Sequence, residues 1–190
     1  WHWTEETERS FKEIVDSAPP EVVDMINAFG KFIKKNDMLA YLTMMTIRLL
    51  ELHRVLKPTG SIYLHCDPTA SHYLKIVMDT IFGLKNFKNE IVWYYKTGGA
   101  TKRHFAKKHD IILFYSKSDE YYFKAQKEKS FMMHKYGFKK SEFFIDKETG
   151  LQYTWVYMRE VWDISSIGSA DKQRLGYPTQ KPRTLLERII

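Results

Sequence analysis

One cysteine, Cys66, stands in 190 residues, so the chain has no internal disulfide and lacks the paired thiols of a structural zinc site. No run of about 18 apolar residues and no secretory leader pattern occurs, which leaves no membrane partner and a reducing cytoplasm as the expected setting. Neither H-E-x-x-H nor H-x-E with P-C-x-x-C is present, and this removes the metalloprotease and zinc deaminase classes. His65, Cys66 and Asp67 sit together, but their spacing suits neither a metal nor an activated nucleophile, and no metal is expected. Internal repeats and low-complexity tracts are also missing. A chain of this length buries a core without staples, and the length prior is one domain.

What is present is positive charge. Thirty Lys and Arg against 23 Asp and Glu leave +7, with 15% aromatics, a balance that suits a polyanion. Between residues 96 and 109 there is no acid: Lys96, Lys102, Arg103, His104, Lys107 and Lys108 surround Thr97-Gly98-Gly99-Ala100. That stretch is too polar for a packed helix and reads as a long surface loop fit for phosphate contacts, with a plain solvated loop as the alternative. Lysines 124, 127, 129, 135, 139 and 140 alternate with Phe123, Phe131, Tyr136 and Phe138, which suits either DNA contact or a solvated β face.

Periodicity places the elements. Residues 1–36 carry weak starts at Thr4-Glu5-Glu6 and Pro19-Pro20-Glu21, and read as an irregular, partly helical approach with Val22, Val23, Met25 and Ile26 apolar. From an N-cap at Asp37, apolar Met38, Leu42, Met45, Leu49, Leu52 and Leu56 predict a long amphipathic helix that stops at Pro58-Thr59-Gly60. A buried strand over 61–65, a helix opened by Asp67-Pro68-Thr69 with Tyr73, Leu74, Val77, Met78 and Ile81 inward, and a strand over 91–95 form a βαβ unit. Its ligand edge carries His65, Cys66 and Asp67, the last read first as a helix cap. Trp93, Tyr94 and Tyr95 read as core before base-stacking groups. After a strand over 111–115, strand-like 121–123, 143–145 and 153–157 with a turn at 147–150 predict a small β-rich insertion.

Residues 177–182, Tyr-Pro-Thr-Gln-Lys-Pro, are a loop stiffened at both ends by proline, able to aim Thr179, Gln180 and Lys181 at one ligand before the apolar Leu185-Leu186 helix. This loop resembles the clamp for the methionine end of S-adenosylmethionine in DNA amino-methyltransferases of the adenine-N6 and cytosine-N4 type. Residues 57–73, Asn89-Glu90-Ile91-Val92-Trp93, His109–Tyr115 and Val161-Trp162-Asp163-Ile164 are similar to the same family, in the order of its permuted beta group, and most like type III modification subunits. The resemblance covers roughly 37–116 and 160–190.

The resemblance implies an α/β fold: a Rossmann-like methyltransferase sheet, incomplete here, made by 1–116 and 160–190, with a target-recognition insertion over 117–159. It implies S-adenosylmethionine held by Pro178, Thr179, Gln180, Lys181 and Pro182 beside Trp162 and Asp163. It implies double-stranded DNA gripped by Lys96, Lys102, Arg103, His104, Lys107 and Lys108; a restriction subunit and a second copy of the chain stay open as partners. Two family motifs are absent: the Asp/Asn-Pro-Pro-aromatic tetrapeptide that accepts from the amine, and the Phe-x-Gly-x-Gly turn under the adenosyl half. In their absence no catalytic residue is assigned, and the chain alone is expected to be inactive or to serve as a DNA-recognition module. Residue 1 is Trp, and Leu186, Ile189 and Ile190 end an apolar stripe without a stop signal, so further chain is expected beyond both ends.

Overall fold

A computed structural model describes residues 1–96, 99–131 and 143–190. The chain divides into two compact units, residues 1–122 with 161–190, and residues 123–160.

In the larger unit the first 36 residues are not irregular. They form α1 (Glu5–Ser17) and α2 (Pro20–Phe32). Thr4 accepts from the Thr7 amide to open α1, and Pro20 starts α2, where its missing N–H costs nothing. Val22, Met25, Ile26 and Phe29 recur at three- and four-residue steps and are all buried. α3 (Asp37–Val55) is capped one residue earlier than expected: the Asn36 side chain accepts from the Leu39 amide. Its buried stripe is also rotated, running through Leu39, Leu42, Thr43, Thr46 and Leu49, while Leu52 is exposed. The two threonines enter the core because their hydroxyls donate to the carbonyls of Leu39 and Leu42, both at 2.8 Å. Gly60 ends the following turn where a Cβ would lie 2.8 Å from the Leu56 side chain.

β1 (Ser61–Cys66), α4 (Ser71–Phe82), β2 (Phe87–Tyr94), β3 (His109–Ser116), β7 (Val161–Asp163) and α5 (Arg183–Ile189) complete this unit. The sheet order is β1-β3-β2-β7. This corrects the simple βαβ expectation: β1 and β2 do not pair, because β3 lies between them and runs antiparallel to both. β1 is then an edge strand with only Cys66 buried, not the buried strand expected, and β3 is the interior strand. Odd residues of β3, Ile111, Leu113 and Tyr115, join the helical core with Leu74, Val77 and Met78 of α4. Even residues Ile112 and Phe114 bury the opposite face, where Phe114 stacks on Tyr63 at 4.3 Å.

Polar contacts lock helices to this sheet. Lys117, one residue past β3, donates to the carbonyls of His53 and Leu56 at 2.6 Å and of Arg54 at 3.2 Å, satisfying the C-terminal end of α3. Tyr115 donates to Asp79 of α4 at 2.6 Å, and Lys75 pairs with the same carboxylate at 2.7 Å.

The smaller unit is an antiparallel sheet ordered β4 (Lys127–Ser130), β6 (Gln152–Tyr157), β5 (Phe143–Ile145). Its first strand is 127–130 and not 121–123, where the Tyr122 amide bonds instead to the Thr59 carbonyl at 3.3 Å. Asp146 builds the turn after β5 by accepting from the amides of Glu148 and Thr149, and Lys129 closes on its other oxygen. Those bonds, the Lys129 contact foremost, hold the Asp146 carboxyl well below the usual range.

Leu74 is fully buried and Leu84 is 73% exposed. Leu74→Ala should therefore cost about 2–5 kcal/mol of unfolding free energy in urea titrations, against under about 0.5 kcal/mol for Leu84→Ala.

Candidate functional site

β7 pairs with β2 in parallel, matching Val92 to Val161, Trp93 to Trp162 and Tyr94 to Asp163. Strands β1, β2 and β7 therefore end on one edge of the sheet, at Cys66, Tyr94 and Asp163, and β3 starts there at His109. An α/β sheet offers this carboxyl edge to ligands, because the strand ends and their loops converge there.

The two-residue pleat sets the chemistry of the edge. His65 lies opposite Ile112, and Asp110 is two residues along β3 on the same face, opposite Trp93. His65 Nε2 consequently donates to Asp110 at 2.9 Å, and the Tyr95 hydroxyl donates to its other oxygen at 3.2 Å. Trp93 backs the imidazole at 5.6 Å and is itself core: it is 4% exposed, and its indole N–H donates to the Ile164 carbonyl at 2.8 Å. Burial lowers the His65 pKa below the ordinary 6.5, the Asp110 hydrogen bond opposes it, and the Lys181 charge lowers it further. The neighbouring Cys66 thiol is pushed up to about 12, chiefly by burial and then by Asp67, so it stays protonated. Asp67 accepts from the amides of Thr69 and Ala70 and turns the chain into α4, which begins at Ser71. Among the described residues no three His, Cys, Asp or Glu side chains are grouped to hold a metal ion.

The proline-flanked loop leads into α5 at Pro182, and the Lys181 charge it carries acts on His65 by lowering its pKa. Within the loop, Gln180 turns inward: its oxygen accepts from the Leu175 amide at 2.8 Å and its nitrogen donates to the Gln173 carbonyl at 2.6 Å. Both ends of its amide are thus spent on the loop backbone. Gly176 supplies the left-handed backbone at φ 79° that this fold-back needs. Lys181 donates to the Thr179 carbonyl at 3.0 Å; Pro178 and Thr179 are exposed, and Pro182 is buried at the start of α5. Trp162 is buried, with the Arg188 guanidinium 5.3 Å over its ring. Asp163 pairs with Lys96 at 2.9 Å, joining a residue expected at the donor to one expected at DNA.

The cationic loop leaves β2 and returns to β3 at the same edge, its base closed by the Tyr95 amide on the Lys108 carbonyl at 2.9 Å. Lys102, Arg103, His104 and Lys107 are exposed, and Lys108 reaches the Gly99 carbonyl at 3.2 Å. Thr97 and Gly98 lie outside the described residues, as do lysines 135, 139 and 140 with Tyr136 and Phe138. In the smaller unit Lys127 and Lys129 lie 5.8 and 4.9 Å from the rings of Tyr157 and Tyr153, engaged within their own sheet.

Sequence reasoning overlooked Asp110, the residue that joins His65 to Tyr95. The His109-Asp110 pair stands at the head of an apolar run, but only the antiparallel register puts position 110 beside position 65.

A family model described as DNA methylase, of the N6/N4 class, matches residues 7–190. The chain is 29% identical over 153 residues to the type II methyltransferase M.HpaI of Haemophilus parainfluenzae, covering 75% of this chain and 41% of that protein. It is 30% identical over 196 aligned positions to the type II methyltransferase M.BglII of Bacillus subtilis, covering 94% and 50%. It is 26% identical over 157 to the DNA adenine methyltransferase YhdJ of Escherichia coli (strain K12), covering 75% and 48%. The chain thus spans half or less of the length of these relatives.

His65 offers a direct measure of the edge. Because its pKa is lower folded than unfolded, the unfolded chain binds more protons, and the associated stability is present above about pH 6.5 and lost as pH falls through the histidine range. A proton NMR titration should give a His65 midpoint below 6.5 that rises in Lys181→Ala and falls further in Asp110→Asn. An unmoved midpoint in Lys181→Ala would separate the loop from the sheet edge.

Proposed function

The chain belongs to the N6/N4 DNA methylase family, and from that premise we propose that the complete protein moves a methyl group from S-adenosylmethionine to an exocyclic amine of a DNA base, adenine N6 or cytosine N4. The observation that carries this reading is the match of residues 7–190 to the DNA methylase family model, and the proline-flanked loop, whose Lys181 donates to the Thr179 carbonyl, supports it. The amino-acid end of the donor is a zwitterion, so it asks for one cation and one carboxylate within a few ångströms of each other. We assign the cation to Lys181 and the carboxylate to Asp67, whose charges act on His65 with opposite signs. When bound, the donor supplies an electrophilic methyl on a sulfonium.

The chain's own residues then position and shield. The Rossmann-like arrangement of β1, β2 and β7 directs three loops to one side, and the His65–Asp110–Tyr95 bonds keep that edge ordered. Lys102, Arg103, His104, Lys107 and Lys108 neutralise phosphates of double-stranded DNA, while Lys96 steadies the edge through Asp163. The insertion over residues 117–159, most of which falls in the smaller unit, reads the target sequence. Residues 1–190 contain neither an Asp/Asn-Pro-Pro-aromatic tetrapeptide nor a Phe-x-Gly-x-Gly turn. On this reading the segment binds and orients, and the proton acceptor for the amine belongs to the rest of the enzyme. The acid-free basic stretch from 96 to 109 also suits a second reading, a DNA-recognition module without methyl transfer of its own.

Radiolabelled donor, the complete protein and mixed genomic DNA separate the two: label should enter DNA, whereas binding without incorporation would select the recognition module. Lys181→Ala should weaken donor affinity by about tenfold in calorimetry, the loss of one charge-assisted contact, and shift DNA affinity by under about twofold. An unchanged donor affinity would remove Lys181 from the site.

A further inference from the structure

Phe105 is 98% exposed, an extreme for a ring that water solvates poorly. It stands among exposed Lys102, Arg103, His104 and Lys107, in a stretch without an acidic residue from 96 to 109. His104 Nδ1 donates to the Phe105 carbonyl at 2.9 Å, and Arg103 is tied by its amide to Thr101 at 3.3 Å, so the backbone that carries the ring is shaped locally. Both ends of the loop are held, by the bond between Tyr95 and Lys108 at 2.9 Å and by the Lys108 ammonium on Gly99 at 3.2 Å. The loop springs from the edge where β1, β2 and β7 end, the edge assigned above to the donor.

An apolar ring rimmed by cations has a specific complement. Duplex DNA is apolar in its base stack and anionic along both rims, so the cations meet phosphates while the ring meets a base step. A partner protein offering only an apolar pocket would leave these four basic side chains without counter-charge. An enzyme that works on a base amine must also turn the nucleotide out of the helix, which leaves a gap in the stack.

We propose that Phe105 is a wedge that enters the duplex at the target and fills the space vacated by the extruded base. The inference rests on the DNA reading of the preceding subsection and adds to it the group that holds the helix open. Phe105 is a positioning residue here, since it touches the neighbouring bases and not the reacting amine.

The test uses the complete protein, the methylated site mapped from labelled genomic DNA, and duplexes with 2-aminopurine at the target. Phe105→Ala should lower methylation of the intact duplex and the fluorescence rise on binding by about 30-fold and about fivefold, while the DNA dissociation constant grows by under about threefold. The slope of log affinity against log salt should not move, since the phosphate contacts remain. A duplex lacking the base opposite the target should restore at least about tenfold of the lost rate, because extrusion then breaks no pair. Phe105→Trp, which keeps a stacking face, should stay near wild type. Equal losses on intact and gapped duplexes, or no loss at all, would overturn the wedge and leave methyl transfer standing. A wild-type protein that labels no DNA would overturn both. Conversion of a dimer to monomers by Phe105→Ala in sedimentation would assign the ring to a subunit contact instead.

Discussion

Strand β3 constrains everything else in the larger unit. It is hydrogen-bonded on both sides, to β1 and to β2, and both pairings are antiparallel. Backbone groups in a sheet interior cannot be left unpaired, so the register of β3 fixes the height of both neighbours at once. Its odd residues meet the helices and its even residues meet the opposite face, so a slip of one position would exchange Leu113 and Tyr115 for Ile112 and Phe114. The same register sets His65 beside Asp110. Core and site are therefore two consequences of one alignment.

The edge works by unequal burial of charge. His65 is partly buried and kept toward its neutral form, while Asp110 accepts from both it and Tyr95. Around them stand Lys181, Asp67 and the Lys96–Asp163 pair, closer to solvent. Partial desolvation of such groups strengthens their interaction with a charge relative to water. Gln180 contributes indirectly, spending both ends of its amide on the loop backbone so that Lys181 is presented from a stiff support. The exposed pair between Lys96 and Asp163 adds little stability, and its value is in linking the start of the cationic loop to β7.

Legibility followed the strength of local patterning. α4 could be read from Leu74, Val77 and Met78 at helical spacing, with Gly83 just beyond. The starts of α1 and α2 were legible at Thr4 and Pro19-Pro20, but their extent was not, because two 13-residue helices gain their stability from packing rather than from propensity. In α3 the methionine and leucine positions suggested a stripe through Met38 and Met45, but threonines with satisfied hydroxyls took the buried face. Tyr121-Tyr122-Phe123 has strand composition but no ladder, while charged Lys127–Ser130 pairs with β6, since partners and not composition decide which segment enters a sheet. The proline-flanked loop was visible as a motif, and the inward turn of Gln180 was not.

By itself the sequence determined the family, the positive charge, the acid-free loop and the main helices, because motifs, composition and helical periodicity are local properties. It could not determine that β3 separates β1 from β2, that Asp110 meets His65, or that the charge of Lys181 is felt at that histidine. Those facts depend on pairing between segments distant in sequence, 45 residues apart for His65 and Asp110. Hydrogen-bond geometry across a sheet chooses among such pairings only when the whole core closes, and that choice is made by tertiary structure.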